Sequence, residues 1–339
     1  MKNIAPGMDR ICGEGAFEYL AKAVAVEREG GGVLHFEIGQ PDFPTPGHIK
    51  EAAFKAINGN YTGYVAAGGT ADLKAAIQEE IKKTRGFKPG TDQILVLPGA
   101  KPGIFFSMLA LVDAGDEVLY PDPAFPTYGS LVRYLKAVDG AIPVREENEF
   151  RLDPDDIKKR ITAKTKLIIL NSPQNPTGSV MTKDELLATA ELAQKHGIYL
   201  LSDEIYSKML YDASFHSPAT LDEAKERVFI LDGFSKSYSM TGWRLGYLVG
   251  PAPVIKKMEL LMINALSCTA SFVQKAGVAA LAGGQEDLHK MMAAFRERRD
   301  AIVKGLNEVP GFSCLAQKGS FYAFPNIKKT GKTSREMAD

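Results

Sequence analysis

The sequence predicts an α/β protein: a mainly parallel sheet covered by helices on both faces, with a smaller α+β part assembled from the two chain ends. Three observations carry that expectation. From about residue 90, short runs that are apolar throughout alternate with stretches of helical period, as doubly buried strands alternate with their covering helices. The apolar runs end in Gly, Pro, Asn or carboxylate residues, which stop strands and open loops. After Pro251 the alternation gives way to long helices. The expected division is a large domain over residues 45–250 and a smaller one from residues 1–44 together with 251–339.

Taken in order, residues 16–29 have helical period and stop at Gly30, Gly31 and Gly32. Residues 33–38 read as a short strand, broken by Gly39 and by Pro41, Pro44 and Pro46. Strands are expected at 94–97, 117–120, 166–170, 198–202, 228–231 and 245–249, and helices at 102–112, 128–136 and 183–196. A long helix over 287–306 carries Arg296, Arg298 and Arg299, read as a solvated face. Residues 312–315 and 321–324 are strand-like, and a helix begins near 333–336.

Composition excludes several function classes. Across 339 residues, 41 basic side chains balance 41 acidic ones, so no charge excess favours nucleic acid or an anionic membrane as partner. Cys12, Cys268 and Cys314 are widely spaced and odd in number, which suits reduced thiols in a reducing compartment rather than a disulfide framework. The histidines are scattered without ligand spacing, so no metal site is expected. The N-terminal MKNIAPGMDR lacks the apolar region of a secretory signal, and no apolar stretch approaches the ~20 residues of a membrane span. A cytoplasmic location is the expectation.

Open parallel sheets bind ligands beyond the carboxyl ends of their strands, so the residues there matter most. After 94–97 comes Gly99-Ala100-Lys101-Pro102, a helix start whose free amides and positive dipole end suit a phosphate. After 166–170 comes a Pro/Gly loop beginning at Asn171, and after 198–202 come Asp203, Glu204 and Tyr206. Alone, the loop reads better as a Pro/Gly turn and the strand-end carboxylate as a helix cap or salt-bridge partner. After 228–231 comes Ser235-Lys236, with Arg244 close behind as a bidentate partner for phosphate. Tyr120, Tyr128, Phe229, Phe234 and Trp243 are read as packing residues.

In this order the segments IGQPDFPTP from Ile38, the Tyr64 stretch ending at Gly69, PGAK from Pro98, PDPAFPTY from Pro121, NSPQNPTG from Asn171, SDEIY from Ser202, SKSYSMTGWRLGY from Ser235 and GSFYAFP from Gly319 form one succession. It resembles the class I and II aminotransferases of the fold-type I pyridoxal-phosphate enzymes, over nearly the whole chain.

The resemblance implies pyridoxal 5'-phosphate as cofactor and Lys236 as its Schiff-base lysine, which then acts as general base at the substrate Cα. Asp203 would pair with the pyridine nitrogen and keep the ring an electron sink. Tyr206 and Asn175 would hydrogen-bond the phenolic oxygen, and Phe125 would stack on the ring. The phosphate would rest on the amides of Ala100 and Lys101, the Ser235 hydroxyl and Arg244. Tyr64 matches a residue that reaches the phosphate of a neighbouring subunit, which implies a homodimer. Gly39 matches a position whose amide meets the substrate carboxylate, and a cis bond is expected at Asn175-Pro176.

Family members continue beyond GSFYAFP, and that further segment carries the arginine that pairs with the substrate α-carboxylate. No arginine here takes that position, since Arg335 comes too early in the order. The expectation is a complete cofactor site and a substrate site without this clamp. The expected activity is transfer of an amino group from an L-amino acid, with aspartate or broad dicarboxylic and aromatic donors, to a 2-oxo acid such as 2-oxoglutarate. A carbon–sulfur β-lyase of the same fold and a cofactor-binding module without turnover are the alternatives.

Overall fold

A computed structural model describes residues 4–221 and 226–339. In chain order the helices and strands are α1 (Gly15–Arg28), α2 (Gly47–Asn58), α3 (Ala71–Arg85), β1 (Ile94–Leu97), α4 (Lys101–Leu111), β2 (Glu117–Asp122), α5 (Thr127–Tyr134), β3 (Val138–Pro143), α6 (Pro154–Arg160), β4 (Thr165–Asn171), α7 (Lys183–His196), β5 (Tyr199–Asp203), β6 (Val228–Gly233), β7 (Gly246–Val249), α8 (Ala252–Leu266), α9 (Ser271–Ala282), α10 (Glu286–Glu308) and α11 (Ser334–Ala338). The strands form one sheet in the order β1-β7-β6-β5-β4-β2-β3. Pairing is parallel except at β7, which runs antiparallel to both β1 and β6.

The apolar runs became strands because both of their faces are covered. Side chains alternate across a strand, and here each set of alternates enters a different core. Ile94, Val96, Ile168, Leu170, Leu200 and Ile230 pack with Leu73 and Ile77 of α3, Leu186 and Ala190 of α7, and Val273 and Ala276 of α9. Leu95, Leu97, Leu167, Ile169, Leu201 and Leu231 pack on the other face with Ile104 and Met108 of α4, Leu131 of α5, and Ile255 and Met258 of α8. The result is three layers, and each fully buried Leu or Ile contributes about 1.5–3 kcal/mol relative to exposure. Helices α8 and α9 thus cover opposite faces of the sheet, although their sequence lies in the stretch assigned with the chain end.

Local chemistry sets the helix ends. Thr182 accepts from the amide of Glu185 while Glu185 answers to the Thr182 amide, and Gly197 closes α7 in the left-handed conformation. Asp153 caps α6 ahead of Pro154. A third cluster joins Ile205, Tyr206, Met209 and Tyr211 to Leu288, Met291 and Phe295 of α10. It fastens the end-built part to the edge of the sheet where the parallel strands finish.

Several expectations are corrected. Residues 33–38 form no strand: Leu34 and Phe36 are 85% and 81% exposed, and no ladder partner lies beside them among the described residues. Residues 312–315 and 321–324 are not strands either. The nearby pairing consists of single bridges, Ser313 with Asn326 and Leu210 with Gly319. The α+β character expected of the smaller part is therefore helices with isolated bridges. Alternating apolar residues mark a face, but a strand also needs a neighbour offering a row of backbone partners. Conversely, α2, α3, α6 and β3 carried no clear signal. Strand β3 contains Asp139 and Gly140 and lies at the sheet edge, where exposure removes the apolar signature. Among the described residues, no helix is long and apolar enough to cross a membrane.

Candidate active site

The carboxyl ends of β1, β2, β4, β5 and β6 meet at one edge of the sheet and open into a cleft of about 660 Å³. That volume lies within the range of small-molecule sites. Gly39, Ala100, Lys101, Phe125, Asn175, Asp203, Tyr206, Ser235, Lys236 and Arg244 all line it. Tyr64 does not; its side chain is 89% exposed.

Lys236 follows β6 on a tight turn, and its Nζ donates to the Gly39 carbonyl at 2.6 Å. Burial, helped by the charges of Arg244 and Lys101, pushes its pKa down to about 8. At that value about a tenth of the amine is unprotonated at pH 7, far more than for an exposed lysine, as a nucleophilic or basic lysine requires.

Asp203 ends β5 with its side chain buried. The Tyr128 hydroxyl donates to its Oδ2 at 2.7 Å, and the Ile205 amide donates to Oδ1 at 3.3 Å. Burial pushes its pKa up to about 6, against the pull of the Tyr128 bond. Among the described residues no cation is bonded to it, and a buried carboxylate in that state is suited to receive one.

The loop after β4 is held by Asn171. Its Oδ1 accepts from the Asn175 amide at 2.8 Å, and its Nδ2 donates to the carbonyls of Asp203 at 3.0 Å and Pro173 at 3.1 Å. The Asn175-Pro176 bond is cis, as are Ser172-Pro173 and Asp122-Pro123. Across the cleft the hydroxyls of Tyr206 and Tyr322 lie 2.7 Å apart. Burial holds the Tyr206 phenol well above the usual range and pushes Tyr322 up to about 12, so both remain protonated donors.

An anion cradle lies at the start of α4. Ala100 and Lys101 stand in its first turn, where amides have no carbonyl partner within the helix. Ser235 is buried beside them, and Arg244 donates from Nη1 to the Thr241 carbonyl at 2.8 Å while lining the same cleft. Gly99 has φ +94°, and a Cβ there would overlap the Arg244 guanidinium. Only glycine permits this backbone shape and this approach together. Lys101 Nζ lies 5.0 Å from the Phe125 ring centroid and is ion-paired with Glu14.

These donors fit pyridoxal phosphate. An amine of lowered pKa suits its aldehyde, a buried carboxylate suits its ring nitrogen, and the α4 terminus with Arg244 suits its phosphate. Sequence reasoning missed Glu14, Asn171 and Tyr322, and took Tyr128 for packing alone. Tyr128 is fully buried, and a buried tyrosine needs a partner for its hydroxyl, which was the available signal. Arg335 pairs with Glu18 at 2.7 Å and does not line the cleft.

Residues 32–339 match the family described as aminotransferase class I and II. The aspartate aminotransferase of Bacillus subtilis (strain 168) is 40% identical over 315 residues, covering 92% of this chain and 80% of that protein. The crystal structure of the aspartate aminotransferase from Rhizobium meliloti superposes with a TM-score of 0.93 at 36% identity, covering 97% of this chain and 83% of that one. The aromatic aminotransferase of Pyrococcus horikoshii OT3 superposes with a TM-score of 0.86 at 39% identity, covering 88% and 81%. Sequence, sheet order and cleft chemistry therefore agree: the chain belongs to the class I and II aminotransferases and is a fold-type I, pyridoxal-phosphate-dependent aminotransferase acting on amino acids and 2-oxo acids.

Proposed function

We propose that the chain moves an amino group from L-aspartate, or from a set of dicarboxylic and aromatic donors, to an acceptor such as 2-oxoglutarate, with Lys236 as its central group. The observation that carries this reading is the half-buried amine of Lys236, with its pKa near 8, in the same cleft as the buried carboxylate of Asp203. Relatives named for aspartate and for aromatic substrates support the donor set.

When bound, the cofactor supplies an electron sink for the bond broken at the substrate Cα. Lys236 would anchor it and act as the base that takes the proton from the substrate Cα and passes it to the cofactor's aldehyde carbon, so that the amino group stays behind as the oxo acid leaves. Asp203 would pair with the ring nitrogen, while Tyr206 and Asn175 would donate to the phenolic oxygen. Phe125 would cover the ring face. The amides of Ala100 and Lys101, the Ser235 hydroxyl and Arg244 would grip the phosphate, joined by the partner subunit's Tyr64. The Gly39 amide would meet the substrate carboxylate. A homodimer is supported by the exposure of Tyr64 beside exposed Tyr61, Ile57 and Phe54, an apolar group that a second copy would cover. A reducing, cytoplasmic setting is supported by three unpaired cysteines.

The test is a half-reaction. Protein loaded with cofactor is given L-aspartate without an oxo acid, and its visible absorption and oxaloacetate are followed. Conversion of the bound cofactor with release of oxaloacetate, absent in Lys236→Ala, is the expected result. Release of pyruvate and ammonia instead would replace this reading with a lyase.

A further inference from the structure

Asp203 and Glu204 are neighbours at the end of β5, and successive side chains point to opposite sides. Asp203 lines the cleft; Glu204 does not, and is almost wholly buried behind it. Beside it, Asp232 in β6 stands one step beyond Leu231, the residue in register with Asp203. The chain leaving Asp232 runs through Gly233 and Ser235 to Lys236.

Arg85 joins the two. It is the last residue of α3, ahead of Gly86 in the left-handed conformation, and its side chain has no solvent exposure. Nε and Nη2 donate to Glu204 Oε2 at 3.0 and 2.9 Å, and Nη2 also donates to Asp232 Oδ2 at 2.6 Å. Nη1 donates to Thr84 Oγ1 at 2.7 Å, and the Phe215 ring lies 4.9 Å away. Further donors reach the same two carboxylates. Ser217 donates to Glu204 Oε1 at 2.6 Å, Ser207 to Asp232 Oδ2 at 3.1 Å, and the Gly233 amide to Asp232 Oδ1 at 2.7 Å.

We propose that Arg85 is a positioning residue for transamination: by bridging Glu204 and Asp232 it locks the ends of β5 and β6 together and so sets Asp203 against Lys236. The inference rests on the reading of Asp203 and Lys236 as the groups that hold the cofactor. A purely structural ion cluster could sit anywhere in the core. This one grips the residue after Asp203 and a residue one short of the end of the strand that leads to Lys236. A planar guanidinium meets two carboxylates at once, which a lysine ammonium on a shorter-reaching, round head does not reproduce. Misplacement of a reacting group by about 1 Å costs on the order of a hundredfold in rate, so modest slack here is visible in turnover.

The experiment compares Arg85→Lys, Asp203→Asn and their combination as holoenzymes, with kcat expressed per bound cofactor so that loss of folded protein does not register. It adds the pH midpoint for acylation of Lys236 in cofactor-free protein. Arg85→Met/Glu204→Gln/Asp232→Asn, which leaves no charge buried and unpaired, serves as a second route should Arg85→Lys not fold. Either variant is expected to lower kcat roughly tenfold with KM for L-aspartate within about twofold. The acylation midpoint should rise from about 8 toward the ordinary lysine value as water reaches the amine. The combination with Asp203→Asn should lose clearly less than the product of the single losses. Unchanged kcat per cofactor with an unchanged midpoint, or multiplicative losses, would overturn the proposal. Wild-type turnover in Asp203→Asn would instead remove the reading on which it rests.

Discussion

The Tyr128 hydroxyl donates to Oδ2 of Asp203 at 2.7 Å in a site where both side chains are buried. The bond stabilises the ionised carboxylate and opposes the burial that raises its pKa to about 6. Tyr128→Phe deletes the donor and leaves the ring, so the Asp203 pKa should rise further. Less carboxylate is then available to a cationic ring nitrogen at a given pH. Cofactor affinity is expected to weaken by about 1.5–3 kcal/mol, the range for a hydrogen bond to a charged group. Its fall at acid pH should move to higher pH. Cofactor titration between pH 5 and 8 checks this, and an unshifted acid limb would contradict it.

The low pKa of Lys236 makes a second prediction. Burial disfavours the ammonium form, so the proton leaves about two pH units earlier than from an exposed lysine. Acylation of Lys236 in cofactor-free protein, followed by peptide mass spectrometry, should be half-maximal near pH 8. Exposed lysines in the same digest serve as internal controls, with midpoints near ~10.4. A Lys236 midpoint among those controls would show that the amine is not desolvated.

Gly39 and Tyr322 are fitted to one another. A Cβ on Gly39 would stand 2.6 Å from the Tyr322 hydroxyl oxygen, far inside contact distance. Gly39→Ala should therefore push Tyr322 away from Tyr206, whose hydroxyl it meets at 2.7 Å. We expect kcat/KM to fall roughly ten- to a hundredfold, in line with a displacement approaching 1 Å. Adding Tyr322→Phe removes the closest of the clashing atoms and should return part of the loss. Equal losses in the single and double variants would mean that the clash is not the cause.

Tyr64 offers a test of assembly. If each site takes this residue from the partner chain, mixing inactive Lys236→Ala with weakened Tyr64→Ala should regenerate sites that have both groups. Activity of the mixture should then exceed the sum of the two separate preparations. No gain after verified subunit exchange would place Tyr64 outside the site.

The alternation of apolar runs and helices was legible because each central strand is covered on both faces and has no polar side to blur it. The catalytic candidates were legible for a related reason. Lys236, Asp203, Asn175 and Ala100 all stand directly after such runs, where a parallel sheet delivers its loops to one edge. Strand β3 was not legible, since an edge strand needs only one apolar row and tolerates Asp139 and Gly140.

By itself, then, the sequence determined the layered α/β class, the order of the cofactor-type motifs and the residues that end the strands. These depend on local period, on turn chemistry and on residue types at fixed spacing. Only the tertiary structure decided that β7 runs antiparallel, that 33–38 stays unpaired, that Tyr128 serves Asp203, and that Arg85 ties Glu204 to Asp232. Those relationships join residues distant in the chain. Their energies come from burial and hydrogen bonding that exist only once the chain has closed around them.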